Sequence, residues 1–272
     1  MEPIVGGITN TLFRATYHGR TVLIRIYGDG GMIDRVAELQ SFCALAAAGI
    51  GPRCFGSFAN GRLEEFFEGF RTLAPADLSD ADRSAKIARE LARSHAIPVE
   101  ATAAPSLWGQ LADWLSSARA ATFCEGSAEA AEYASIDISH IEAEIARWRR
   151  QVPENARVVF CHNDLLAANI LEHPGSGELK LIDFEYGGPN YRAFDIANHF
   201  NEWAGGTDDG SSLRPCLRMR AALPRVRASG TCPMRAWCVR ARVLAHACRA
   251  VTRASRGRAH GICFTIKCAS PS

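Results

Sequence analysis

The sequence predicts an α+β chain of two lobes, a small β-rich one at the N terminus and a larger, mainly helical one behind it. Three observations carry this. Short β-rich runs bounded by turn residues fill residues 1–73. From residue 74 to about 206, apolar residues recur mainly at helical spacing. The charge then changes sharply near Gly210: all 29 Asp and Glu precede residue 211, whereas residues 211–272 carry 13 Lys and Arg and no acid. A net charge of +2 thus conceals an acidic body and a basic tail.

An apolar share of 47% over 272 residues can build a real core and excludes disorder throughout. No stretch approaches the ~20 consecutive apolar residues of a membrane helix. The opening MEPIVGGITN lacks the basic end and apolar run of a secretory signal, so a cytosolic (cytoplasmic) address is expected.

In the first lobe, Gly6-Gly7-Ile8-Thr9-Asn10 forms a turn ahead of two strands, 12–17 and 21–27, joined by a hairpin at His18-Gly19-Arg20 where glycine can take positive φ. Gly28-Asp29-Gly30-Gly31 reads as a flexible link to a helix over 33–48. That helix carries Ile33, Val36, Leu39, Phe42, Cys43 and Leu45 at helical spacing and stops at Gly49. Strands over 53–58 and 63–67 flank Asn60-Gly61, a turn dipeptide.

In the second lobe, Ser79-x-x-Asp82 reads as a capping box for a helix reaching His95, Ser106 as the cap of another carrying Trp108, Leu111 and Leu115, and Ser139-x-x-Glu142 as a third start. Short strands are expected over 157–161, 169–171 and 179–184, with Pro174-Gly175-Ser176-Gly177 turning between the last two. A final helix covers 191–203.

The chemistry concentrates in two segments. In His162-Asn163-Asp164-Leu165-Leu166-Ala167-Ala168-Asn169, an Asp follows a strand and an Asn comes five residues later. That is the outline of a phosphoryl-transfer loop, Asp164 accepting the proton of an attacking hydroxyl and Asn169 holding Mg2+. In Leu181-Ile182-Asp183-Phe184-Glu185, Asp183 after an apolar strand supplies a second oxygen ligand for the same hard cation. Upstream, Arg25 is placed to meet nucleotide phosphates, with Glu38 on the following helix to hold it. Neither G-x-G-x-x-G nor G-x-x-x-x-G-K-[ST] occurs in the chain, which argues against a P-loop nucleotidase.

These residues carry a resemblance. FCHNDLLAANIL (160–171) and LIDFEYGGPNYRAFDIANHFNEWAG (181–205) closely resemble the choline/ethanolamine kinase family, and ITNTLF, VLIRIYG, GIGPRCFGSFANGRLEEF and FRTL look like its nucleotide lobe. The resemblance covers about residues 5–206. It implies a protein-kinase-like fold, ATP and Mg2+ as requirements, and phosphorylation of a small amino alcohol, ethanolamine before choline, as the first step of phosphatidylethanolamine synthesis. Carried over by motif, Asp164 is the base, Asn169 and Asp183 the metal ligands, and Arg25 the phosphate contact with Glu38 behind it. Gly6, Gly7, Thr9 and Asn10 cover the phosphates, and Glu65 to Arg71 form the hinge beside adenine. Leu166 stands where the family often has Gln or another residue. Glu185, Asp195 and Glu202 give a carboxylate cluster suited to a cationic substrate. Asp195 among them reads best as structural.

The expected organisation is a nucleotide-binding lobe at 1–73, a catalytic lobe at 74–206 and, at 207–272, a tail unlike the family's C-terminal helices. Choline needs an aromatic cage, and after Trp203 only Trp237 and Phe264 are aromatic. Besides ethanolamine phosphorylation, two readings stay open: a choline kinase, or a catalytically impaired binding protein. The tail's six cysteines, Cys216, Cys232, Cys238, Cys248, Cys263 and Cys268, form no C-x-x-C and match no standard zinc module. Its Arg content invites nucleic acid or an anionic membrane surface, but no aromatic interleaving accompanies it, so a nucleic-acid role is not expected.

Overall fold

The computed structural model describes residues 1–4, 10–28, 35–100 and 102–204. Gly6, Gly7, Thr9, the Asp29-Gly30-Gly31 link and the whole basic tail lie outside them.

Strands β1 (Glu2–Ile4), β2 (Asn10–Tyr17), β3 (Arg20–Tyr27), β4 (Cys54–Phe58) and β5 (Gly61–Glu65) form one antiparallel sheet in the order β1-β2-β3-β5-β4. The β2–β3 loop is two residues long, because Tyr17 pairs with Arg20. His18 and Gly19 both take positive φ, 48° and 73°, the backbone whose twist suits a tight hairpin. Helix α1 (Arg35–Ala47) lays Glu38, Phe42 and Leu45 along one buried stripe and ends at Gly49, whose φ of +68° terminates it.

The second hairpin departs from expectation. Phe58 pairs with Gly61, so the turn is Ala59-Asn60 and Gly61 belongs to β5. A Cβ at Gly61 would sit 2.2 Å from the Arg25 carbonyl oxygen and 2.4 Å from the Phe58 ring. Close backbone approach, not positive φ, requires glycine here.

The larger part begins with β6 (Arg71–Thr72), a strand absent from the sequence reading. The remaining strands are β7 (Val158–Cys161), β8 (Ile170–Glu172), β9 (Leu179–Leu181) and β10 (Gly188–Tyr191). They form a β6-β8-β9 sheet and a β7–β10 ribbon, so the chain has already crossed from the first sheet by Arg71, which pairs with Glu172. Among the described residues five α-helices follow β6: α2 (Ala81–Ser94), α3 (Leu107–Ala120), α4 (Ala128–Ala134), α5 (Ile138–Gln151) and α6 (Arg192–Ala204). One apolar core runs across the junction, from Leu45 and Ile50 of the first part through Leu73 to Leu165, Leu181 and Phe184.

Three capping expectations shift. Asp80, not Ser79, caps α2 by accepting from the Arg83 N–H. Asp137, not Ser139, caps α5 through the His140 N–H. Ser106 precedes α3 as expected but makes no side-chain cap; its N–H donates to the Pro189 carbonyl. For α2 and α5 an Asp, one residue after Ser79 and two before Ser139, offers the stronger acceptor for the free N–H groups.

Candidate active site

The segment leaving β7 is fixed by buried polar groups before any ligand is considered. Asp195, at the first turn of α6, is fully buried. Its Oδ2 accepts from the His162 N–H at 3.0 Å and contacts His95 Nε2 at 2.9 Å, and its Oδ1 accepts from the Asn163 N–H at 2.8 Å. This corrects the expectation that Asp195 belongs to the substrate carboxylates: both of its oxygens are committed to holding the loop. His162 is equally constrained. Its Nδ1 accepts from the Asp164 N–H and its Nε2 donates to the Ile182 carbonyl, which fixes the neutral Nε2–H form, and burial holds its pKa below the ordinary value.

Asn163 and Asp183 adopt φ of 64° and 63°, left-handed conformations that non-glycine residues hold only when their surroundings enforce them. For Asn163 the enforcement is visible: Nδ2 donates to the Tyr186 carbonyl and Oδ1 accepts from Asn190 Nδ2, both at 2.8 Å. Asp164 and Asp183 lie close enough for the charge of one to bear on the other.

Asn169 Nδ2 donates to the Asp164 carbonyl at 2.8 Å and approaches its Oδ2 at 3.4 Å. The Asp164 carboxyl is pushed up to about 7, first by burial and then by the neighbouring charges of Asp183 and Glu185, with the Asn169 contact opposing. Glu202 is pushed up to about 8 by burial and by Asp164. The Tyr186 hydroxyl is raised for the same reasons, burial first and then Glu185, Asp164 and Asp183. Glu185 accepts from Asn10 Nδ2 at 3.1 Å, a bond that ties the first residue of β2 to the carboxylates.

The cation facing this cluster is Arg25, 5% exposed on β3, whose Nη1 donates to Asp183 Oδ1 at 3.1 Å. Its holder is not Glu38. Arg25 Nε donates to Glu64 Oε1 at 2.6 Å, and the same oxygen accepts from Arg62 Nε at 2.7 Å. Glu38 instead takes Arg62 Nη1 at 2.6 Å and Arg35 Nη1 at 2.7 Å. Arg25 and Arg62 sit directly opposite each other on β3 and β5, so a bridging acid is needed between two like charges. Arg62 and Glu64 were missed because R-x-E on a strand resembles a solvent-facing charge pattern. The one available signal was that alternate residues on β5 must face the same side as Arg25.

Glu65 and Arg71 are engaged elsewhere. Glu65 accepts from the Arg53 guanidinium at 3.0 Å and from the Arg53 N–H at 3.2 Å, and Arg71 pairs with Asp77 and Glu172.

The residues fit a divalent cation. With Nδ2 committed to Asp164, Asn169 retains its carboxamide oxygen, and Asp183 adds a carboxylate; both are hard oxygen donors beside a carboxyl that burial and then neighbouring negative charge push up to about 7.

The profile of the choline/ethanolamine kinase family matches residues 1–223. A probable ethanolamine kinase of Arabidopsis thaliana is 38% identical over 213 residues, covering 75% of this chain and 56% of that protein. A probable choline kinase 2 of the same plant is 36% identical over 211 residues, covering 74% and 58%. Among solved structures, an ethanolamine kinase of Plasmodium vivax superposes with a TM-score of 0.67 at 25% identity, covering 93% of this chain and 71% of that one. The chain therefore spans a little over half the length of these curated relatives. The two-lobed, protein-kinase-like fold expected from the sequence is the one these structures share with it.

Proposed function

Because the chain belongs to the choline/ethanolamine kinase family, we propose that it transfers the γ-phosphoryl group of ATP to the hydroxyl of ethanolamine, supplying phosphoethanolamine for phosphatidylethanolamine synthesis in the cytosol. Residues 1–73 serve as the nucleotide lobe and 74–206 as the catalytic lobe.

The observation that supports this best is the convergence of Arg25, Asp164, Asn169 and Asp183 from separate stretches of chain, with Glu202 beside the base. Asp164 aligns the alcohol oxygen and accepts its proton as the oxygen bonds to phosphorus and the bond to ADP breaks. Arg25 neutralises phosphate charge, joined by the main chain of the Gly6, Gly7, Thr9 and Asn10 turn. Asp183 and Asn169 would hold Mg2+, which when bound would offset phosphate charge. Glu202 and Glu185 receive the substrate ammonium, whose charge offsets the burial, and the Asp164 charge, that raise the Glu202 carboxyl.

The test is ADP release by the full chain with ATP and Mg2+, supplied with ethanolamine, with choline, or with neither. Ethanolamine-dependent release exceeding choline-dependent release is the expected result. Release with choline alone would move the substrate assignment, and nucleotide binding without alcohol-dependent release would leave a binding protein.

A further inference from the structure

Between α1 and Arg25 runs an unbroken line of buried charge, and one of its inner members, Arg62, has no place in the reaction just described. Arg62 lies on β5, 1% exposed, with its guanidinium 4.2 Å from the Phe42 ring centroid of α1. It donates to Glu38 Oε1 at 2.6 Å on one side and to Glu64 Oε1 at 2.7 Å on the other. Glu64 holds Arg25 at 2.6 Å, and Arg25 reaches Asp183 at 3.1 Å. Signs alternate along Glu38, Arg62, Glu64, Arg25 and Asp183, so each charge is neutralised by its neighbours. Among the described contacts, Glu38 has no direct bond to Arg25.

We infer that Arg62 is a positioning residue that couples the placement of α1 to the placement of Arg25, and through it to the nucleotide phosphates; this rests on the proposed use of ATP. The physical case has three parts. First, two buried carboxylates, Glu38 and Glu64, share this guanidinium, and removing it leaves like charges facing each other in a medium that cannot solvate them. Glu64 then relaxes or takes up a proton, and in either case its hold on Arg25 weakens. Second, a shift of α1 moves Glu38, which pulls on Arg62 and so on the Glu64 oxygen that Arg25 shares. Third, the job needs a fork. Nε and Nη1 point at two different acids while the flat face stacks on Phe42, a combination a single ammonium cannot reproduce.

Three full-length variants, Arg62→Lys, Arg62→Met and Glu38→Gln, test this through the dissociation constant for ATP with Mg2+, measured by calorimetry and therefore independent of turnover. Arg62→Lys keeps the charge and should fold; its ATP affinity is expected to fall about tenfold, the scale of one lost charge-assisted bond. Glu38→Gln should weaken ATP by a similar factor, and combining it with Arg62→Lys should add little, since both break the same line. Arg62→Met should weaken ATP further. Where the parent turns over, KM for ATP should rise while KM for the amino alcohol stays within about twofold. Arg62→Lys binding ATP as tightly as the parent would overturn the coupling. So would a loss of active protein with both KM values unchanged, which a purely structural role predicts. If the parent binds ATP yet phosphorylates no amino alcohol, the substrate reading fails while the coupling is still decided by the same affinities.

Discussion

Arg25 and Asp183 join two charged clusters built on opposite rules. On the side of β3 and β5, acids and bases alternate: Glu38 is held by Arg62 and Arg35, and Glu64 by Arg62 and Arg25. On the far side, Asp164, Asp183, Glu185 and Glu202 crowd together, and burial with mutual repulsion lifts Asp164 to about 7 and Glu202 to about 8. The first cluster is electrically complete as folded. The second holds carboxyls whose ionisation the fold resists, and positive ligands would reverse that resistance. A frame is built from matched charge, and a binding site from mismatched charge.

The largest effect expected from breaking the second cluster is on rate. Asp164→Ala should lower ethanolamine-dependent ADP release by about 10² to 10⁴, the usual contribution of a positioned acid-base group. Its thermal midpoint at neutral pH should not fall, since a carboxyl that burial already penalises has been removed. Turnover within about tenfold of the parent would remove Asp164 from the role of base.

Asp195 sharpens the contrast, because it is an acid of the second lobe that follows the rule of the first. Asp195→Asn replaces one carboxylate oxygen by an N–H₂ that cannot accept, so one of the backbone N–H groups of His162 and Asn163 loses its acceptor. A loss of about 2 to 4 kcal/mol is expected in urea unfolding, as for a buried charge-assisted network with one partner lost. An unchanged midpoint would mean that the loop is held by Asn163, Tyr186 and Asn190 alone.

How much of this was legible in the sequence divides along the same line. Asp164, Asn169 and Asp183, which the structure brings together, could be singled out as candidates, because phosphoryl transfer needs those residue types at those separations after strands. The Gly19 hairpin and the Gly49 helix stop were readable for a steric reason, positive φ, which leaves its mark on residue type. The frame was harder. Arg62 and Glu64 are charged residues facing inward, and nothing in R-x-E states which way a strand turns; that follows from pairing with β3, a contact between residues about 40 apart. Strand β10 was hidden because Gly188-Pro189-Asn190 has turn composition, yet it pairs with β7 and supplies the Asn190 that braces Asn163. Caps slipped by a residue or two because Ser and Asp both serve, and only the local backbone decides which reaches the free N–H.

Glu202 allows the mismatch to be titrated. A carboxyl whose folded value is about 8, against an ordinary 4.5, favours folding as the acid. That contribution is whole below pH 4.5 and is lost as pH rises through 8. Glu202→Gln, neutral throughout, should match the parent's thermal midpoint at low pH and exceed it above pH 8. The substrate should show the reverse preference, since its ammonium needs the carboxylate. KM for ethanolamine should fall by up to about tenfold for each unit from pH 6.5 toward 8 in the parent and stay flat in Glu202→Gln. A parallel slope in both would place the ammonium elsewhere.

The smallest effect is expected one residue along β5 from one of the largest. Glu64 faces inward with a side chain 2% exposed, whereas Glu65 faces outward at 24% and pairs with Arg53, itself 67% exposed. Solvent screens such a pair and the long side chains lose freedom in forming it, so Glu65→Gln should change stability by less than about 1 kcal/mol. KM for ATP should move by less than about twofold, because the Glu65 carboxylate is already taken by Arg53. Glu64→Gln leaves Arg25 and Arg62 opposed without the acid between them and should cost far more in both measurements. If the two neighbours gave equal effects, the division between matched frame and mismatched site would not follow the faces of β5, and Glu65 itself would have to reach the nucleotide.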